Sequence, residues 1–197
     1  LRNRSGHPPS LCGRYPDPER HYPNQDTVHK VMEDDQNGFE GRELMKRRYH
    51  YMPYHFDSNF EMEILKHIQE MSLVRQSNLE VYYNGDRFLT EFHIKCYEKV
   101  GSRWNYVGQY TPDFLIIERQ DDEIYRALII ETKGQIYAQD KNFLRRREFV
   151  EHHFLSENEK QYGYRKFEYL YIEDTMAESE QHSRILKAIT KFFEVAI

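Results

Sequence analysis

Three charged side chains interrupt two apolar runs that would otherwise read as buried strands. The runs are Tyr110-Thr-Pro-Asp-Phe-Leu-Ile-Ile117 and Ala127-Leu-Ile-Ile-Glu-Thr-Lys-Gly134. Residues two apart on a strand share a face, so Glu131 and Lys133 point together, and Asp113 falls in step with Leu115 and Ile117. Two carboxylates and an ammonium thus converge on one sheet face. Burying such groups costs several kcal/mol each, by order of magnitude, unless they are paired or hold a metal. A divalent cation supplies the missing positive charge, and hard oxygen ligands suit Mg²⁺ or Mn²⁺. Plainer readings exist: Asp113 as a turn residue after Thr111-Pro112, and Glu131 with Lys133 as a structural ion pair before Gly134. Neither accounts for all three charges.

Upstream, Phe56-Asp-Ser-Asn-Phe-Glu61 opens a helical pattern in which Glu61 falls on the same stripe as Leu65 and Ile68, whereas Glu63 lies with His67 and Glu70 on the polar side. Ser58-x-x-Glu61 also reads as a capping box, with the glutamate turned back on its own helix start. In the first reading Glu61 orients a water or binds a second cation beside Asp113.

Pro112-Asp113 followed by Glu131-Thr-Lys133 resembles the signature of the PD-(D/E)XK nuclease superfamily. The fuller contexts Tyr110-Thr-Pro-Asp-Phe114 and Ile130-Glu-Thr-Lys-Gly134 are similar to the endonuclease domain at the C-terminal end of type III restriction subunits and related helicase-nucleases. The resemblance runs from about residue 55 to the end. It implies an α/β fold, restriction-endonuclease-like, with a mixed central β-sheet flanked by helices, and a metal-dependent hydrolysis of DNA phosphodiester bonds. It implies that Asp113 and Glu131, with the carbonyl of Thr132, hold the cation, and that Lys133 positions or deprotonates the attacking water. The chain contains no GxxxxGK[ST] phosphate loop, so no ATP site is expected in it. An ATP-driven motor and a methyltransferase partner would lie outside the chain. The rival reading is a nuclease-like domain without turnover that serves nucleic-acid binding or subunit interaction.

Lys141, Arg145, Arg146 and Arg147 follow the lysine motif closely and are candidates for DNA phosphate contact, against the ordinary meaning of such a run as a solvated helix face. Arg42, Lys46, Arg47 and Arg48 form a second basic group. His93-x-Lys95 lacks the further aspartate that a phosphodiesterase HxK pattern needs. His152-His153 reads as a helix surface pair. Tyr162, Tyr164, Tyr169 and Tyr171 could stack on bases, although the alternation from Phe167 to Ile172 favours strand packing.

The 197 residues fit one core-bearing domain, 55–197, preceded by an extended N-terminal arm or extension over 1–54. The arm carries Pro8-Pro9 and Tyr15-Pro-Asp-Pro18 and no apolar periodicity. The net charge is −5 and the mean hydropathy −0.92, so binding to nucleic acid must come from local charge and not a basic coat. Cys12 and Cys96 are the only cysteines, which excludes a cysteine zinc cage. No run approaches membrane-span length and no signal pattern opens the chain, so a cytoplasmic location is expected. The chain begins at Leu1 and not methionine, as an excised domain of something longer would.

The elements expected to position the site are a helix from Asp57-Ser58 through Met71, a strand over 79–83, an Asn84-Gly85-Asp86 turn, and an alternating strand from Phe88 to Val100. Strands follow at 110–118 and 125–133, then a helix from Arg145 to about Asn158, a strand over 167–172 and a helix from Glu178 to Ala196. Thr175 and Glu178 read as the capping box of that last helix.

Overall fold

The computed structural model describes residues 56, 58–85, 92–121 and 123–195. The arm over 1–54, the basic group at Arg42–Arg48, Cys12, Asp57, Asp86 and the expected strand start at Phe88 lie outside the described residues, as do residues 196 and 197.

The element order is α1 (Asn59–Glu70), α2 (Ser72–Gln76), β1 (Glu80–Tyr83), β2 (Ile94–Val100), β3 (Arg103–Tyr110), β4 (Phe114–Gln120), β5 (Glu123–Lys133), α3 (Lys141–Phe149), a π-helical turn (Val150–Phe154), α4 (Leu155–Tyr162), β6 (Phe167–Glu173) and α5 (Glu178–Phe193). A mixed four-stranded sheet runs in the order β1-β4-β5-β6; only the β5–β6 pair is parallel. Strands β2 and β3 form a separate antiparallel ribbon. The fold is α/β, with helices on both sides of the sheet.

Burial on both faces explains why the central strands read as continuous hydrocarbon rather than as an alternating pattern. Phe114, Ile116, Leu128 and Ile130 point to one face, against Ile64, Leu65 and Ile68 of α1, Leu73 and Val74 of α2, and Ile185 and Ile189 of α5. Leu115, Ile117, Ala127 and Ile129 point to the other, against Phe143, Phe149, Val150 and Phe154 and the ribbon residues Ile94 and Cys96. Each buried aliphatic side chain contributes about 1.5–3 kcal/mol, so the sheet core is the main source of stability. Cys96 is a buried free thiol, pushed up to about 12 by desolvation, with the charge of Arg146 opposing.

Three expectations are corrected. The 110–118 run is not one strand: β3 ends at Tyr110, the chain breaks over Thr111–Asp113, and β4 begins at Phe114. Asp113 therefore sits at a strand entrance and not in a strand interior. The fixed φ of Pro112 and its missing N–H make it a poor continuation of a ladder. The helix expected at 145–158 starts four residues earlier, because the Asp140 side chain accepts from the Phe143 amide at 2.7 Å and caps it, and it continues to Tyr162 through the π turn. It ends on Gly163, whose φ of 75° forms a left-handed cap. No capping box starts α5: its N-cap is Ala177, and the Thr175 hydroxyl donates instead to Glu173 Oε2 at 3.3 Å.

Candidate active site

The C-terminal end of β5 carries Glu131 and Lys133 on the face covered by α3, as the two-residue period requires. Glu131 is 2% exposed. Its Oε1 accepts from Lys133 Nζ at 2.8 Å and its Oε2 from the Tyr110 hydroxyl at 2.8 Å. Tyr110, the last residue of β3, is in turn joined to the Tyr169 hydroxyl of β6 at 3.0 Å. Lys133 Nζ lies 4.8 Å from the centre of the Phe143 ring on α3.

Asp113 faces Glu131 from the entrance of β4. Its Oδ2 accepts from both the amide and the hydroxyl of Thr132, at 2.7 and 2.6 Å, which leaves Oδ1 without a hydrogen bond among the described residues. The Asp113 backbone is fixed as well: its carbonyl accepts from the amides of Asn84 and Gly85. The buried Asn84 side chain donates to the carbonyls of Pro112 and Phe92 and accepts from the Phe92 amide, tying the exit of β1 to the break before β4. Thr132, expected to act through its carbonyl, is thus placed as the partner of Asp113 through its amide and hydroxyl.

Glu61 meets the Ser58 half of the capping box, while its carboxylate bonds side chains and not the backbone of its helix start. The Ser58 side chain accepts from the Glu61 amide as an N-cap, and its hydroxyl meets Glu61 Oε1 at 3.0 Å. The other carboxylate oxygen accepts from the Tyr83 hydroxyl at the end of β1. From there its negative charge acts on Asp113, Glu131 and Lys133 together. The four predicted residues therefore share one electrostatic neighbourhood although they come from α1, the β4 entrance and β5.

That neighbourhood is unbalanced. Desolvation, reinforced by Glu131, raises the Asp113 carboxyl well above the usual carboxylate range, with Lys133 opposing. Glu131 is also raised by desolvation, although Lys133 and the Tyr110 hydroxyl pull it back. For Lys133 burial favours the neutral amine, but Glu131 and Asp113 outweigh it and hold the ammonium above its ordinary value. Desolvation and Glu131 together keep the Tyr110 phenol protonated. Glu131 contacts the Lys133 ammonium directly, while Asp113 and Glu61 act on it through charge alone, and no group of three acidic, histidine or cysteine side chains that could hold a metal ion occurs among the described residues.

The basic run on α3 divides. Lys141 and Arg145 are exposed, the latter paired with Glu98 of β2. Arg146 donates to the carbonyls of Asn142 and Gln109, and Arg147 pairs with Glu151 at 2.9 Å while lying 3.8 Å over the Tyr171 ring. His153 is half-buried, with its ring edge-on to Trp104 at 5.0 Å, whereas His152 is exposed. Sequence reasoning missed Tyr110, Tyr169 and Tyr83 as partners of the acids. The adjacency of Tyr110 to Thr111-Pro112-Asp113 was the one available signal.

No described helix is long and apolar enough to cross a membrane. No protein-family model matches the chain, and comparisons with curated proteins and with solved structures likewise found no match.

Proposed function

We propose that this chain is a restriction-endonuclease-like, PD-(D/E)XK-type nuclease that hydrolyses DNA phosphodiester bonds with Mg²⁺ or Mn²⁺, as the cleavage module of a type III restriction enzyme or related helicase-nuclease. The observation that carries the reading is the placement of Asp113 and Glu131 about Lys133, with both carboxyls raised by desolvation and by neighbouring negative charge, Glu61 among it. Asp113 and Glu131 are the residues that would hold the cation, with Glu61 on a second position or on the water. When bound, such a cation supplies an acidified water and offsets charge developing on the phosphoryl oxygens.

The chain's own residues set the rest. Lys133, held charged by its acidic neighbours, orients the nucleophilic water and stabilises the negative charge at phosphorus; it is not the proton acceptor in this arrangement. Tyr110 holds the Glu131 carboxylate by its second oxygen, so the carboxylate stays oriented when Lys133 turns toward substrate. Thr132 fixes Asp113 so that one oxygen remains available. Lys141 and Arg145 are the exposed cations offered to DNA phosphates, and the motor and methyltransferase act from outside the chain.

A binding module without turnover is the second reading, and one observation favours it: both oxygens of Glu131 are already engaged, by Lys133 and Tyr110. Incubation of supercoiled and linear DNA with Mg²⁺, Mn²⁺ or EDTA, beside Asp113→Ala and Lys133→Ala, separates the two. Metal-dependent nicking should fall by at least about 10³-fold in both variants, a loss on the order of 4 kcal/mol of transition-state stabilisation. Absence of Mn²⁺ binding by the folded wild-type chain would refute the nuclease reading.

A further inference from the structure

The segment between Lys133 and α3 presents two large apolar side chains to solvent in a turn that is itself well anchored. Ile136 is 88% exposed and Tyr137 67% exposed, the two most exposed large hydrophobic residues among those described. The turn is tied down on every side. The Gln135 amide donates to Asp174 Oδ1 at 3.0 Å, the amides of Tyr137 and Ala138 both donate to the Gly134 carbonyl, and the Asp140 amide donates to Tyr137. Gly134 packs so closely on Asp174 that an added Cβ would lie 3.3 Å from its carboxylate. Ala138 is buried, and Asp140 is committed to capping α3. A turn this fixed holds its two tip side chains in water at a standing hydrophobic cost, which an occupant of the tip would relieve.

The surrounding charge selects the occupant. Lys133 precedes the tip by three residues and the exposed Lys141 follows it by four, with the exposed Gln135 and Gln139 between. The only carboxylate in 134–140 is Asp140, already engaged with the Phe143 amide. An apolar, aromatic tip between two cations matches a nucleobase flanked by phosphates, and aromatic side chains stack on any base. We propose that Ile136 and Tyr137 form a stacking wedge that seats the nucleobase beside the phosphate lying over Lys133, so that the chain engages DNA whose bases are unpaired or prised apart next to the cut. This rests on the nuclease reading and specifies its substrate as locally unstacked DNA.

The test uses the full chain, a DNA oligonucleotide carrying 2-aminopurine in an unpaired stretch, and Ca²⁺ in place of Mg²⁺ to suppress cutting. In parallel, hydrolysis of bis(p-nitrophenyl) phosphate with Mn²⁺ reads the acids and Lys133 without any base to stack. The wild type should quench 2-aminopurine, the combined Ile136→Ser and Tyr137→Ser variant should lose the quench and bind about tenfold more weakly, and Tyr137→Phe should keep both. Hydrolysis of the small diester should stay within about twofold in all three, since exposed substitutions leave the fold intact. Equal quenching by wild type and double variant, or no DNA binding by the wild type, overturns the wedge while diester hydrolysis leaves the nuclease standing. Absence of diester hydrolysis and of DNA binding removes both.

Discussion

The two faces of the central sheet are built on opposite rules. Beneath α1, α2 and α5 the strands offer Val81, Phe114, Ile116, Leu128, Ile130 and Ile172, hydrocarbon throughout, with the Tyr83 hydroxyl at the rim reaching Glu61. Beneath α3 the same strands carry hydrocarbon and then Glu131, Lys133, Tyr169 and Tyr171, with Tyr110 of the β2–β3 ribbon set against them. The first face is held by volume, because dispersion and exclusion of water ask only that space be filled. The second is held by matching, since buried polar atoms need partners: Glu131, Lys133, Tyr110 and Tyr169 supply them to one another, and the buried Tyr171 hydroxyl alone of this group meets none. Strand β5 passes from buried hydrocarbon to buried charge at Ile130–Glu131, so a central strand of the sheet also carries the site's costly charges.

Breaking the volume face should have the largest effect. Ile189→Ala opens a cavity between α5 and the sheet and should cost about 2–5 kcal/mol in urea unfolding, with activity per folded molecule unchanged. A comparable fall in specific activity would mean that the faces are not separable. On the matching face, Tyr110→Phe changes no packing volume but leaves Glu131 Oε2 without its donor. A loss on the order of 1–2 kcal/mol is expected, together with weaker Mn²⁺ binding in calorimetry; unchanged affinity would leave Tyr110 a purely structural residue.

The smallest effect sharpens the comparison by pH. Folded Asp113 and Glu131 bind protons more tightly than they do in the unfolded chain, so their contribution is complete below the ordinary carboxylate range and is lost as pH rises through their raised values. Lys133 is raised too, but its contribution disappears only above the ordinary lysine range and does not vary between pH 5 and 8. With EDTA present, the melting temperature should therefore be higher near pH 5 than near pH 8. Asp113→Asn should flatten that difference and gain on the order of 1 kcal/mol at pH 8. A wild-type profile flat in pH would show that the acids are not in conflict.

What was legible in the sequence followed from periodicity. A strand period of two put Glu131 and Lys133 on one face, and a helical period put Glu61 with Leu65, because both periods are local properties of the backbone. What escaped was set by partners far away in the chain. Strand β3 shows no apolar alternation, since most of its side chains face solvent and it pairs only with β2 in an isolated ribbon. Tyr110 consequently read as part of the next strand, and its bond to Glu131 spans 21 positions of sequence. The start of α3 at Asp140 was obscured by the basic run, although an aspartate three residues ahead of Phe143 is an ordinary cap signal. The α5 cap failed for the opposite reason: the motif was present, but Thr175 lies one bond from Glu173, closer to hand than any helix amide.

The π-helical turn at Val150–Phe154 acts as a phase shifter. Each residue of an α-helix advances the side-chain direction by about 100°, and the widened turn absorbs that advance so that Phe149, Val150 and Phe154 all meet the sheet. Length and rotational phase are thereby uncoupled along the crossover from β5 to β6. Removing a single residue there would restore an ordinary α-helical turn and leave α4 on the sheet, whereas removing one from the α-helical stretch on either side would turn α4 away, a lesion of timing that composition, charge and helix propensity would all fail to register.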